Sequence, residues 1–375
     1  MIGRLELVDL RPTEEALAEE LAAVERVLRS GVVLRGQEAR TLEQTLEGVV
    51  GVGALAVGSG TDALSLALAA VGVGPGDEVV VPAMTAPATA AAVLALGAVP
   101  VPVDVRADVP LLDPGAVRRA ATERTAAVVA VHLYGAVADL GELAEVAGHL
   151  GVPLVEDVAQ ALGATTAAGR PAGSVGRAAA LSFYPTKHAG AAGDAGAVLS
   201  RDPAVLDRLR AWADGIAAGR ADPSAALVRP SRIDEVQAAL VDLRVRRLPA
   251  ALAHRRALVD RYRSGLGAVL PPVAHGGGGA PHLLVVAVDD PGRLGRSLDR
   301  IGIGHGRHYP STLGELPLLA GLAGLPDAPN ARRWARSVLS LPLHERMGSD
   351  EVDRVVAAVL ASLDDPGSGG SPSLR

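Results

Sequence analysis

Apolar side chains recur along this chain in two rhythms, and the change from one to the other lays out a fold. Over residues 12–29 they fall at Leu17, Leu21, Val24 and Val27, the spacing of one helical face, with Thr13 placed to cap the start ahead of Glu14 and Glu15. Gly31 to Gly36 interrupts this pattern, and a second helix is predicted from Glu38 to Val49. Short, almost wholly apolar runs then follow at Ala54–Val57, Glu78–Val81, Val99–Val103, Ala126–Val131 and Pro153–Val155. Runs of this kind read as strands covered on both faces. Helical stretches at Ala63–Val71, Ala88–Leu96 and Leu140–Leu150 lie between them. The alternation predicts an α/β fold with a mainly parallel central sheet covered by helices.

The stretch from Val79 to Val103 contains no charge and is long enough to span a bilayer, but Pro82, Pro87, Pro100 and Pro102 break it. Strand, helix and strand is the expectation there. Further on, the pattern predicts a helix over Pro249–Leu270, a strand over His282–Val288 after a run of glycines, and helices over Pro291–Ile301 and Ser349–Leu363. A chain of 375 residues exceeds the size at which one core stops growing. Two domains are expected: a large one over residues 1–248 and a smaller C-terminal α/β domain over 249–363, with 364–375 as a disordered tail.

Charge and composition narrow the functions. A net charge of -6 with scattered arginines gives no basic footprint, so nucleic acid is not an expected partner. Met1 to Arg29 interleaves charges with apolar residues and lacks the uncharged core of a signal peptide; with no cysteine in the chain, a cytoplasmic protein without a membrane partner is expected.

In open parallel sheets, chemistry gathers beyond the carboxyl ends of the strands. Gly60, His132, Asp157 and the stretch Ser182–Gly190 all fall at such ends. Lys187 in that stretch is the one lysine among 36 basic residues. A lone lysine on a loop is more often a solvated cation than a reactive group. Yet an amine can lose its proton and bond a carbonyl carbon, which a guanidinium does not do. Around it stand small residues, the Ser182 hydroxyl and the acidic segment Glu156-Asp157-Val158-Ala159-Gln160. These are the parts that pyridoxal phosphate requires: a lysine for the aldehyde, a carboxylate for the ring nitrogen and donors for the phosphate. Gly58-Ser59-Gly60-Thr61-Asp62 joins a strand to a helix and so presents free N–H groups to an anion, although the Asp62 carboxylate competes for that positive end.

Taken in order, several motifs resemble the DegT/DnrJ/EryC1/StrS family of pyridoxal-phosphate-dependent sugar aminotransferases. They are Gly58–Leu64, Gly72–Val79, His132–Gly135, Glu156–Gln160, the Lys187 stretch, Ser231–Ala239 and His308-Tyr309-Pro310, and the resemblance spans residues 8–362. It implies the type I aminotransferase fold and pyridoxal 5'-phosphate as cofactor. It further implies that Lys187 forms the Schiff base, Asp157 pairs with the pyridinium nitrogen and Gln160 meets the ring hydroxyl oxygen. Ser182, Gly60 and Thr61 would hold the phosphate, and Tyr184, His188, Arg232, His308 and Tyr309 would face the substrates. A homodimer is implied, with the Arg229–Arg232 segment reaching across the interface.

The expected reaction is transfer of an amino group from glutamate or glutamine to a nucleotide-linked keto-sugar. The Phe183–Lys187 and Gly193-Asp194 wording is most similar to the branch acting at sugar C3. A cyclitol ketone, another pyridoxal reaction and a non-catalytic cofactor-binding partner are the alternatives. The family's dehydratases carry histidine in place of the lysine, so Lys187 argues against them. Three departures stand out: Ala86 where an aromatic usually stacks on the ring, Pro230 where an asparagine reaches a phosphate in the partner subunit, and His188 where asparagine is usual.

Overall fold

The structure, a computed structural model, describes residues 4–217, 231–267, 269–270, 272–273 and 278–364. Two helices, α1 (Glu14–Ser30) and α2 (Gln37–Val50), lead into β1 (Gly53–Val57). Then come α3 (Gly60–Ala70), β2 (Glu78–Pro82), α4 (Pro87–Leu94), β3 (Val99–Val103), α5 (Pro114–Ala120) and β4 (Thr125–Val131). After α6 (Leu140–Leu150) come β5 (Leu154–Asp157), β6 (Ala178–Ser182), β7 (Gly196–Ser200) and α7 (Pro203–Ala217). The remaining elements are α8 (Glu235–Leu266), β8 (Leu284–Ala287), α9 (Pro291–Arg300), α10 (Pro329–Ser337), β9 (Val338–Leu341) and α11 (Ser349–Asp364).

Seven strands form one sheet in the order β1-β7-β6-β5-β4-β2-β3, and β8 and β9 form an antiparallel pair. Within the large sheet β7 alone runs antiparallel to its neighbours β1 and β6, so the mainly parallel sheet is observed. Alternate residues of the strands feed two different cores. Val57, Val79, Val129, Val155, Ala180 and Val198 pack with α3 and α4, while Ala56, Ala179, Leu181, Ala197 and Leu199 pack with α2 and α8. Val79 to Val103 is indeed strand, helix and strand, and among the described residues no helix is long and apolar enough to cross a membrane.

Thr13 caps α1 by accepting the Ala16 N–H at 3.2 Å, as its position predicts. The helix expected from Pro249 begins instead at Glu235 and passes through Pro249. Buried Val241, Val245, Leu248 and Leu252 along it show why: apolar packing on α2 and the loops around β5 outweighs the one hydrogen bond that proline removes. Residues 248 and 249, where we place the domain boundary, are therefore consecutive within α8, and the division remains a proposal. The tail beyond 364 lies outside the described residues, as do Gly276 and Gly277 of the glycine run.

Candidate active site

The carboxyl edge of the sheet gathers the groups that the sequence marks. Val57 and Ser182 both pair with Gly196, which brings the ends of β1 and β6 together with the start of β7. The chain leaving β1 turns at once into α3, with Ser59 as its cap accepting the Asp62 N–H at 3.1 Å. These backbones touch so closely that no side chain fits between them. A Cβ at Gly60 would lie 2.7 Å from Ser182 Oγ, and one at Gly196 would lie 2.4 Å from the Ser59 carbonyl oxygen. The result is a pocket of small residues where the N–H groups of Gly60 and Thr61, at the positive end of α3, sit beside the Ser182 hydroxyl. Asp62 does not spoil it. Ser231 accepts the Gly58 N–H at 3.0 Å and donates its own hydroxyl to Asp62 Oδ2 at 2.8 Å, drawing that carboxylate aside.

Two neighbouring carboxylates end β5, and strand alternation sends them to opposite faces. Glu156 accepts N–H bonds from Gly173, Val175 and Gly176 at 2.7, 2.8 and 2.7 Å and meets His132 Nε2 at 3.0 Å. Burial pushes its carboxyl up, but the histidine and the N–H donors outweigh burial and leave it below the usual carboxylate range. His132 accepts the Ala138 N–H at Nδ1, so its proton sits on Nε2 and points at Glu156. That pair is structural.

Asp157 faces the α3 and α4 side. It is buried, with Oδ1 accepting the Ala159 N–H at 3.1 Å and Oδ2 accepting the Thr89 hydroxyl at 3.3 Å. Burial pushes its pKa up against the opposing pull of that N–H and of Lys187.

Lys187 stands on a tightly closed loop beyond β6. Its N–H donates to the Tyr184 carbonyl at 2.8 Å, Gly190 N–H returns to the Lys187 carbonyl at 3.0 Å, and Ala191 N–H to that of Phe183 at 2.6 Å. Arg244 of α8 ties this loop down by donating to the Gly190 carbonyl and, at 2.9 and 2.8 Å, to both oxygens of Glu20 on α1. Burial pushes the Lys187 ammonium down to about 8, with Asp157 pulling the other way. The two groups are thus within electrostatic reach of one another.

Gln160 joins this centre to the segment before β9. Its Oε1 accepts the Tyr134 N–H at 2.8 Å and its Nε2 donates to the Tyr309 hydroxyl at 3.2 Å, leaving one amide N–H for a ligand. Burial pushes Tyr309 up to about 12. Tyr134 also donates its hydroxyl to the His308 carbonyl oxygen, and His308 Nδ1 meets Ser340 Oγ at 2.8 Å. Burial and the nearby Lys187 hold the His308 imidazole below its ordinary pKa.

The expected substrate residues are not all brought to this centre. His308 and Tyr309 are. Tyr184 is 53% exposed at the rim. His188 turns inward, where burial and Arg255 push it down to about 3, and its ring lies 5.3 Å from that of His282. Arg232 packs its backbone against Gly58 and makes no hydrogen bond or ion pair with the described residues. Arg229 and Pro230 lie outside the described residues.

Sequence reading missed Thr85, Thr89, Arg255 and His282. The first two had a signal: they are the only side chains able to hydrogen-bond between Val79 and Val103. Arg255 and His282 had none, because a helical arginine and a histidine at a strand start look unremarkable in one dimension. In three, buried Arg255 bonds Glu345 at 2.7 Å and the carbonyls of Pro281, His282 and Leu343.

The residues present fit pyridoxal phosphate. Asp157 is a buried carboxylate that no arginine or lysine among the described residues meets in an ion pair, so a protonated ring nitrogen would supply the cation it lacks. The small-residue pocket at Gly60, Ser182 and Gly196, at the start of α3, has room and free N–H groups for a phosphate.

A mainly parallel sheet covered on both faces, with a buried lysine and a buried carboxylate at its carboxyl edge, defines the chain as a type I aminotransferase. The DegT/DnrJ/EryC1/StrS aminotransferase family matches over residues 14–360, and the chain belongs to it. It is 41% identical over 258 residues to the erythromycin biosynthesis sensory transduction protein EryC1 of Saccharopolyspora erythraea, covering 67% of this chain and 69% of that one. It is 40% identical over 257 residues to the dTDP-3-amino-3,4,6-trideoxy-alpha-D-glucose transaminase of Streptomyces venezuelae, covering 67% of each. Among solved structures, S. venezuelae DesV in complex with a ketimine intermediate aligns with a TM-score of 0.90 and 39% identity, over 96% of this chain and 99% of that chain.

Proposed function

We propose that this aminotransferase acts on a nucleotide-linked keto-sugar, transferring an amino group from glutamate or glutamine to sugar C3. The observation that carries the reading is that Lys187 and Asp157 are both buried beyond the carboxyl edge, within electrostatic reach of one another, with the small-residue pocket of Gly60 and Ser182 at the same edge. Pyridoxal phosphate supplies an aldehyde to take up the amino group and a ring to accept the electrons of the broken C–H bond. Asp157 would pair with the ring nitrogen and keep it protonated. Lys187 would hold the aldehyde end of the cofactor, and its amine would serve as the base that moves the proton. Burial lowers the Lys187 ammonium to about 8, which brings the neutral amine within reach near neutral pH.

Likeness to a dTDP-3-amino-sugar transaminase supports the C3 position and a dTDP-linked ketone. One relative bears a sensory-transduction name, which supports a regulatory reading, but likeness to a named transaminase over the same share of the chain supports turnover. We further propose a cytoplasmic homodimer. Exposed Leu21 and Leu28 on α1, the exposed Val32-Val33-Leu34 segment and Tyr184 at the rim are apolar surface that a second copy would cover. Incubating the loaded enzyme with glutamate or glutamine and a panel of dTDP- and UDP-linked 3-keto and 4-keto sugars tests the specificity. The 3-amino sugar is the expected product; amination of the 4-keto sugars alone would overturn the C3 assignment.

A further inference from the structure

Thr85, just before α4, and Thr89, in its first turn, are both buried, and they are the only two hydroxyls of an otherwise apolar stretch. Their Oγ1 atoms are 3.0 Å apart, and Thr89 Oγ1 is 3.3 Å from Asp157 Oδ2. The direction of these bonds follows from chemistry. An ionised carboxylate only accepts, so Thr89 spends its one proton on Asp157, and Thr85 must donate to Thr89. Each donation polarises the next, so both hydroxyls favour the charged form of Asp157.

Resting on the proposed roles of Asp157 and Lys187, we propose that Thr85 and Thr89 form a two-hydroxyl relay that holds Asp157 ionised and so sets the pH range over which the site retains pyridoxal phosphate. They are positioning residues, acting through Asp157. The groups facing Asp157 from other elements are Lys187 on the loop after β6, His132 at the end of β4, Tyr309 before β9 and the Ala159 N–H. None of these is altered by a change at Thr89, which isolates the relay.

The sign is fixed. Asp157 holds the ring nitrogen's proton only when ionised, so affinity for pyridoxal phosphate falls on the acid side as Asp157 of the cofactor-free protein takes up a proton. Without Thr89's donation that protonation occurs at higher pH. The experiment titrates the cofactor-free full-length protein with pyridoxal phosphate across the acid range by equilibrium dialysis, in wild type, Thr89→Val, Thr89→Ser and Thr85→Val, with Asp157→Asn as control. A hydrogen bond to a charged group corresponds to about one pH unit. The acid midpoint of Thr89→Val should therefore lie about one unit above wild type, that of Thr85→Val should move the same way by less, and Thr89→Ser should restore the wild-type value. Unmoved midpoints in both valine variants, or an affinity loss equal at all pH values, would overturn the relay. If Thr89→Val does not fold, Thr85→Val decides. An acid limb that survives unchanged in Asp157→Asn would instead overturn the role given to Asp157 itself.

Discussion

Burial works in opposite directions on the two residues at the heart of the site. It raises the Asp157 carboxyl toward neutrality and lowers the Lys187 ammonium to about 8, so each is moved toward the uncharged state from its own side. For Lys187 this predicts how capture of the cofactor depends on pH. Only the unprotonated amine attacks the aldehyde, so the capture rate of cofactor-free protein should rise with pH and level off above about 8. A rate still climbing toward the ordinary lysine range would show that the amine is not desolvated. Lys187→Arg keeps the charge and should abolish both turnover and borohydride-trapped pyridoxyl on this peptide, because guanidinium stays protonated. Lys187 stood out in the sequence because it is alone of its kind. The hydroxyls behind Asp157 were not: Thr89 is 68 residues away from the carboxylate it serves, and nothing local links the two.

At the scale of elements, pattern reading placed helices and strands well wherever periodicity was strong, as in α1, α2 and β2 to β5. It passed over β6, whose Ala-Ala-Ala-Leu-Ser has neither β-branched residues nor alternation and is a strand only because both faces are covered. It also shortened α8, reading Pro249 as a helix start when tertiary packing carries the helix through it. The motif Ser231–Ala239 was recognised without a mechanism, and the structure provides one. Ser231 holds the Gly58 turn, Glu235 accepts the Gly36 and Glu38 N–H groups at 2.8 and 2.7 Å at the start of α2, and Gln237 accepts the Ala192 N–H at 2.8 Å beyond Lys187. One helix start thus fixes three loops around the site. The junction of β7 with α3 is equally tight: Gly196→Ala would drive a methyl group into the Ser59 carbonyl and Gly60 N–H, at 2.4 and 2.8 Å. Overpacking of this kind costs about 1–3 kcal/mol. We expect the variant to fold and to hold pyridoxal phosphate about tenfold less tightly, measured by equilibrium dialysis. Retention equal to wild type would mean that this backbone junction does not form the phosphate site.

At the scale of the whole molecule, the sheet brings together residues that are scattered along the chain. Gly60, Asp157, Ser182, Lys187 and Tyr309 converge because β1, β5 and β6 end at one edge and the segment before β9 folds back over it. The mainly parallel α/β sheet and its carboxyl edge were legible from apolar runs, and the type I fold was implied by the family resemblance. Which polar residues met across that edge was not, since register and loop closure decide it. Light scattering at assay concentration should give the mass of a dimer; an active monomer would overturn the proposed assembly. The central claim, that Lys187 and Asp157 serve amino-group transfer and do not merely retain a cofactor, has one direct test. The enzyme is loaded with pyridoxal phosphate, incubated with glutamate alone, and its cofactor released and identified by mass. We expect pyridoxamine phosphate with an equal amount of 2-oxoglutarate, and none of either in Lys187→Arg. Recovery of unchanged pyridoxal phosphate from wild type with glutamate, and again with glutamine, would contradict the account.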